Sequence, residues 1–155
     1  MSDPTVHASA VLAGARAALI RGPAGSGKSA LALALIRAAQ TGLLRFARLV
    51  GDDRVHLEAS HGRLLVRPAA TLAGLIEVRG AGIIRLEHEP VAVVGLVVDL
   101  AAQDAARLPE AGETIILDVP LPRLAVAPAS DPLPPVLAML EHDPEKWIHE
   151  KDRAR

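Results

Sequence analysis

Gly22-Pro23-Ala24-Gly25-Ser26-Gly27-Lys28-Ser29 fits the phosphate-binding pattern G-x-x-x-x-G-K-[ST] at every required position. Such a run supports a narrow kind of chemistry. Glycines let successive backbone N–H groups converge on a polyphosphate, and a helix opening at Lys28 adds the positive potential of its N-terminus. In that arrangement Lys28 meets the β and γ phosphates and the Ser29 hydroxyl ligates Mg²⁺. The other reading is a glycine-rich turn matched by chance, but the apolar residues 17–20 ahead of it supply the strand that a phosphate loop requires.

Asp52-Asp53 follow the apolar Leu49-Val50 and so sit at the carboxyl end of a short strand, where a phosphate loop from a neighbouring strand would also lie. Beside a cation two adjacent acids divide into a metal partner and a proton acceptor, because each raises the other's pKa while the metal lowers both. Taken alone, the pair also reads as an Asx turn with solvated acids. Glu77-Val78-Arg79-Gly80-Ala81-Gly82 places an acid and a base on one face of an extended segment before a glycine-bearing loop. That segment either approaches a nucleotide or carries an exposed ion pair. His7, 21 positions ahead of Lys28, reads by itself as a surface or structural histidine. His56, His61, His88, His142 and His149 lack metal-ligand spacing, so no zinc site is expected.

The elements that must position these residues follow from hydrophobic pattern and turn chemistry. Residues 17–20 form a buried strand, and 28–40 a helix of strong helix formers whose apolar residues lie on more than one side. Residues 48–50 make a strand, and 54–58 with 64–67 a hairpin around Ser60-His61-Gly62. Further strands are expected at 75–78, 83–86, 91–99, 114–119 and 123–126, and Asp131-Pro132 opens a last helix running towards Glu141. The order predicts an α/β fold with a β-rich second half, one domain over residues 1–143 and a charged tail at 144–155.

Composition narrows the partners. With 155 residues, 50% hydrophobic and 23% charged, the chain can bury one core, and 17 basic against 18 acidic side chains leave no bulk field favouring nucleic acid or anionic membrane. One phenylalanine, one tryptophan and no tyrosine make base-stacking platforms scarce. The absence of cysteine excludes disulfides and thiol nucleophiles and suits a reducing cytoplasm. No secretory pattern opens the chain, and a cytoplasmic location is expected.

Together the segments resemble the catalytic domain of HPr kinase/phosphorylase, a family of bacterial serine kinases acting on the phosphocarrier HPr. The resemblance runs from His7 through the G-P-A-G-S-G-K-S loop, L-V-G-D-D-R-V at Leu49, E-V-R-G-A-G-I-I at Glu77 and D-V-P-L-P-R at Asp118, to Arg123. It implies a P-loop kinase fold similar to that of phosphoenolpyruvate carboxykinase, with ATP and Mg²⁺ as cofactors and an HPr-like carrier as substrate. It also implies Ser29 and Glu77 as metal ligands, Lys28 on the phosphates, Asp53 as acceptor of the serine proton and Asp52 as support for the metal. His7 then assists the acid, Arg79 lies in the loop tied to both directions of the reaction, and Arg107 contributes to catalysis. Hexamers are usual in the family. With six residues ahead of His7, the chain resembles a truncated form without the family's N-terminal domain. The family's pattern changes at 85–90 and at 127–131, and the second stretch is linked in the family to dephosphorylation, so a better kinase than phosphorylase is expected. The rival readings are a small-molecule kinase or ATPase, and a nucleotide-dependent binding module without transfer.

Overall fold

The computed structural model describes residues 4–105 and 112–142. Arg107 and the charged tail at 144–155 lie outside the described residues. Ten strands and two helices follow in the order β1 (Val6–Ala13), β2 (Arg16–Arg21), α1 (Lys28–Gln40), β3 (Ala47–Gly51), β4 (Arg54–Ser60), β5 (Arg63–Pro68), β6 (Leu75–Val78), β7 (Gly82–Arg85), β8 (Ala92–Asp99), β9 (Glu113–Ile116), β10 (Val119–Ala125) and α2 (Leu133–Glu141).

Two sheets share strands. In the mixed sheet the order is β3-β1-β2-β8-β10, with β2, β8 and β10 parallel and β1 antiparallel to both of its neighbours. The first residues of β1 leave that sheet to pair with β4, and β4-β5-β8 completes an antiparallel sheet through the first residues of β8. β1 and β8 therefore belong to both layers. Alternation along them divides the core: Val11, Ile20, Leu49 and Val98 face the helices, while Ala8, Ala10, Leu19 and Val97 face the antiparallel sheet. The helix layer closes on Leu31, Leu35 and Ile36 of α1 and Val136 of α2. Each buried Leu, Ile or Val contributes about 1.5–3 kcal/mol to holding these layers together.

The expected helix at 28–40 and hairpin around Ser60-His61-Gly62 are present. Two elements differ from the sequence reading. The strand expected over 114–119 ends at Ile116, because Leu117 and Asp118 both take positive φ, 49° and 65°, and Val119 pairs back onto Ile116. This is a two-residue hairpin turn of the type usually written Asn-Gly, and Leu-Asp does not announce it. β1 carries small residues on both faces, Ala8, Ser9 and Ala10 all being fully buried, so it lacks the alternation that marks a strand. Among the described residues no helix is long and apolar enough to cross a membrane.

Candidate active site

The phosphate loop leaves the end of β2 and enters α1, whose first residue is Lys28. Gly27 at the helix N-cap has φ 99°, a conformation that a side chain would strain. A Cβ on Gly22 would crowd the Ser26 side chain and stand 3.1 Å from Leu100 Cβ, so glycine suits the point where the loop leaves the strand. Lys28 Nζ donates to the carbonyls of Gly22 (2.8 Å) and Pro23 (3.3 Å), which closes the loop around the ammonium. Ala24, Gly25, Gly27, Lys28 and Ser29 line a cavity of about 750 Å³, whereas Gly22, Pro23 and Ser26 lie outside that lining.

Asp52 immediately follows β3 and is 5% exposed. Its carboxylate accepts from Ser29 Oγ (2.7 and 2.9 Å), from Ser9 Oγ (2.7 Å) and from the Glu77 N–H (3.1 Å). This acid thus ties the start of α1, β1 and β6 to the end of β3. The Ser29 proton is committed to Asp52, which leaves the hydroxyl's lone pairs available to a cation. Ser29, Asp52 and the Glu77 carboxylate offer hard oxygen donors of the kind Mg²⁺ prefers, so the residues present fit that ion. Among the described residues no group of three acids or histidines converges, so a metal here would take further ligands from water and phosphate.

Asp53 differs from its neighbour in every respect. Arg54 N–H donates to the Asp52 carbonyl (2.8 Å) across Asp53, whose φ is 66°. The pairing defines a γ-turn with its central residue on the strained side of φ. That backbone is held from both directions: Asp53 N–H donates to Ser9 Oγ (3.1 Å) and its carbonyl accepts from Ala8 N–H (3.2 Å). The Asp53 side chain is 62% exposed and its Oδ1 lies 3.8 Å from His7 Nδ1. Because β1 runs against its neighbours, His7 at its beginning reaches the edge where β2 and β3 end. Arg54 Nη2 lies 3.1 Å from His7 Nε2, and a guanidinium only donates. Nε2 therefore accepts, and Nδ1 carries the ring proton towards Asp53.

Glu77 and Arg79 line the same cavity, and the ion pair that their spacing allows is not formed among the described residues. Ser9 is a neighbour of these acids that the sequence did not single out, and Arg54 stood in the L-V-G-D-D-R-V segment without a role of its own. The signal for Ser9 was a lone hydroxyl two residues from His7 in an apolar segment.

Asp99, at the end of β8, is bound by Arg21 through Nε (2.7 Å) and Nη2 (2.9 Å) and by Arg123 Nε (2.6 Å). Burial raises its pKa, but the two guanidinium hydrogen bonds outweigh burial and hold the carboxyl below its ordinary range. Hydrogen bonds from Arg123 to Asp104 and Asp99 hold that guanidinium still more firmly protonated.

Residues 2–90 match the family described as the HPr Serine kinase C-terminal domain, which is more than half of the chain. The chain belongs to this family. Within it, an HPr kinase/phosphorylase of Clostridium beijerinckii is 44% identical over 66 residues, covering 43% of this chain and 20% of that protein. One from Clostridium tetani is 42% identical over 66 residues, covering 43% and 19%. The aligned part is about a fifth of each of these relatives. The solved HPr(Ser) kinase/phosphatase of Coxiella burnetii superposes with a TM-score of 0.71 at 25% identity, over 90% of this chain and 95% of that one. The α/β P-loop kinase fold expected from the sequence is the one observed, as a mixed sheet with few helices.

Proposed function

We propose that the chain is an ATP- and Mg²⁺-dependent protein serine kinase whose acceptor is HPr or an HPr-like phosphocarrier. One observation carries this reading. The phosphate loop and an exposed carboxylate held by a strained turn, Asp53, open onto one cavity, with buried Asp52 bonded to Ser29 between them. When bound, Mg²⁺ supplies charge neutralisation at the phosphates, and Ser29, Asp52 and Glu77 are the residues to hold it or its waters. In transfer, Asp53 takes the proton of the acceptor serine as its oxygen bonds to the γ phosphorus. The bond from that phosphorus to the bridging β–γ oxygen breaks, and ADP leaves. His7 steadies the Asp53 carboxylate through its Nδ1 proton. Lys28 meets the charge that develops on the bridging oxygen. Arg79 faces the same cavity, and Arg107 keeps the catalytic role that the family pattern assigns.

The test is incubation of the full chain with ATP, Mg²⁺ and purified HPr, read by mass spectrometry. A single phosphoserine on HPr is the expected product. Phosphate release without phosphoprotein, or a phosphorylated metabolite instead, overturns the assignment in favour of an ATPase or a small-molecule kinase. The altered stretch at 127–131 leads us to expect slow phosphorolysis, so phosphoserine-HPr supplied with inorganic phosphate should give pyrophosphate far more slowly than the forward reaction runs.

A further inference from the structure

The cavity at the phosphate loop does not stop at the reacting groups. It continues along one face of α1, where Ala30, Leu33, Ala34 and Arg37 recur at helical spacing, with Leu133 of α2 and Arg79 after β6 also lining it. A rise of about 1.5 Å per residue puts Arg37 roughly 12 Å along the axis from Ser29. The Arg37 side chain is exposed and makes no ion pair or hydrogen bond among the described residues. Among the described residues no aromatic side chain lines the cavity.

A polyphosphate held by the loop has its reacting end at Ser29, Asp53 and Glu77, and the rest of the lining runs along the α1 face. That face is apolar at Leu33 and Ala34 and carries the planar cation of Arg37 before it continues to Ala38, Thr41 and Leu43. We propose that this face is the nucleobase subsite. The base lies over Leu33 and Ala34, and the Arg37 guanidinium covers its π face, a part that an aromatic side chain often plays. The inference rests on the nucleotide reading of the loop and deepens it, since it makes Arg37 the residue that distinguishes a nucleoside triphosphate from a bare polyphosphate.

Titration calorimetry of the full chain tests it, with Mg²⁺-ATP and Mg²⁺-tripolyphosphate as the two probes. The parent should bind ATP at least about tenfold more tightly than tripolyphosphate. Arg37→Ala should weaken ATP by about tenfold and tripolyphosphate by less than about twofold, because a charge this far from the loop is beyond the roughly 8 Å screening length of physiological salt. Arg37→Lys keeps the charge and loses the plane, and it too should weaken ATP selectively. Equal binding of the two probes by the parent, or equal shifts for both probes in the variants, overturns the subsite while leaving the loop assignment standing. A parent that binds neither probe overturns the nucleotide reading itself.

Discussion

Asp52 and Asp99 both stand where a strand of the mixed sheet ends, and both are largely buried, yet their partners differ in kind. Asp99 receives two guanidinium groups, so its charge is compensated within the protein. Arg21 directly precedes the phosphate loop and Leu100 N–H donates to the Arg21 carbonyl, which makes this cluster a clamp on the loop's root. Asp52 receives two hydroxyls and a peptide N–H, and makes no ion pair among the described residues. Nearby Lys28 points at carbonyls instead. A buried carboxylate given only neutral donors is expensive unless a cation completes it. On the proposed reading, the difference separates a place built for stability from one that takes a cation.

Exchanging each acid for its amide breaks the comparison most sharply. Asp52→Asn keeps one acceptor oxygen for Ser9 and Ser29 but removes the charge, and phosphoryl transfer should fall by about 10³-fold or more. Its amide NH2 would face the Glu77 N–H, so thermal unfolding should shift, but less than for Asp99→Asn, since a hydrogen bond from a neutral donor and no ion pair is lost. Asp99→Asn should do the reverse, with transfer changed by less than about tenfold and a clear loss of stability. Paired kinetics and calorimetry on the two variants decide the matter: a Tm drop as large for Asp52→Asn as for Asp99→Asn would erase the distinction.

A second exchange probes the neighbouring residue, where exposure instead of burial sets the role. Asp53→Asn preserves size but loses the proton acceptor, and the turnover expected is about 10²- to 10³-fold lower, the scale of general base catalysis. ATP affinity should stay within about twofold, because in the proposed function this carboxylate takes the acceptor's proton and holds neither phosphate nor metal. Loss of ATP binding in this variant would move Asp53 from acceptor chemistry to the nucleotide.

How much of this was legible in the sequence depends on whether the parts are contiguous. The phosphate loop is one run of eight residues, and its function as a turn between β2 and α1 is local. Asp52-Asp53 could be placed at a strand end, but which acid is buried could not be read, because the choice depends on Ser9, 43 positions from Asp52. The clamp at Asp99 joins residues 78 and 24 positions apart and leaves no pattern. β1 escaped notice because small residues on both faces hide its period, and with it went the reason His7 reaches Asp53. The family resemblance supplied the pairing of His7 with Asp53, which physics of the isolated residues did not.

The clamp itself makes a pH prediction. Asp99 has a folded pKa below its unfolded value, so its contribution to stability is present above the unfolded aspartate pKa and is lost as the pH falls through the folded one. Urea unfolding should therefore show stability falling from about pH 5 downward. Asp99→Asn should be about 2 kcal/mol less stable at pH 7, the scale of a lost charge-assisted hydrogen-bond cluster, and should lose less of its remaining stability on acidification. Parallel pH profiles for the two proteins would place the acid sensitivity elsewhere.

The smallest expected effect sharpens the other side of the comparison, where a cation is proposed. Glu77 enters the site in two separable ways, since its peptide N–H donates to the Asp52 carboxylate and the residue also lines the cavity. Glu77→Gln leaves the backbone tether in place and removes one negative charge, so any change reports on the side chain alone. Mg²⁺ takes few protein ligands and is held largely by its charge. The Mg²⁺ concentration for half-maximal transfer should then rise by about tenfold, the scale of losing one carboxylate partner. The ATP requirement at saturating Mg²⁺ should move far less. If Mg²⁺ titrations of Glu77→Gln and the parent coincide, Glu77 serves only through its peptide group, and its carboxylate leaves the proposed metal shell.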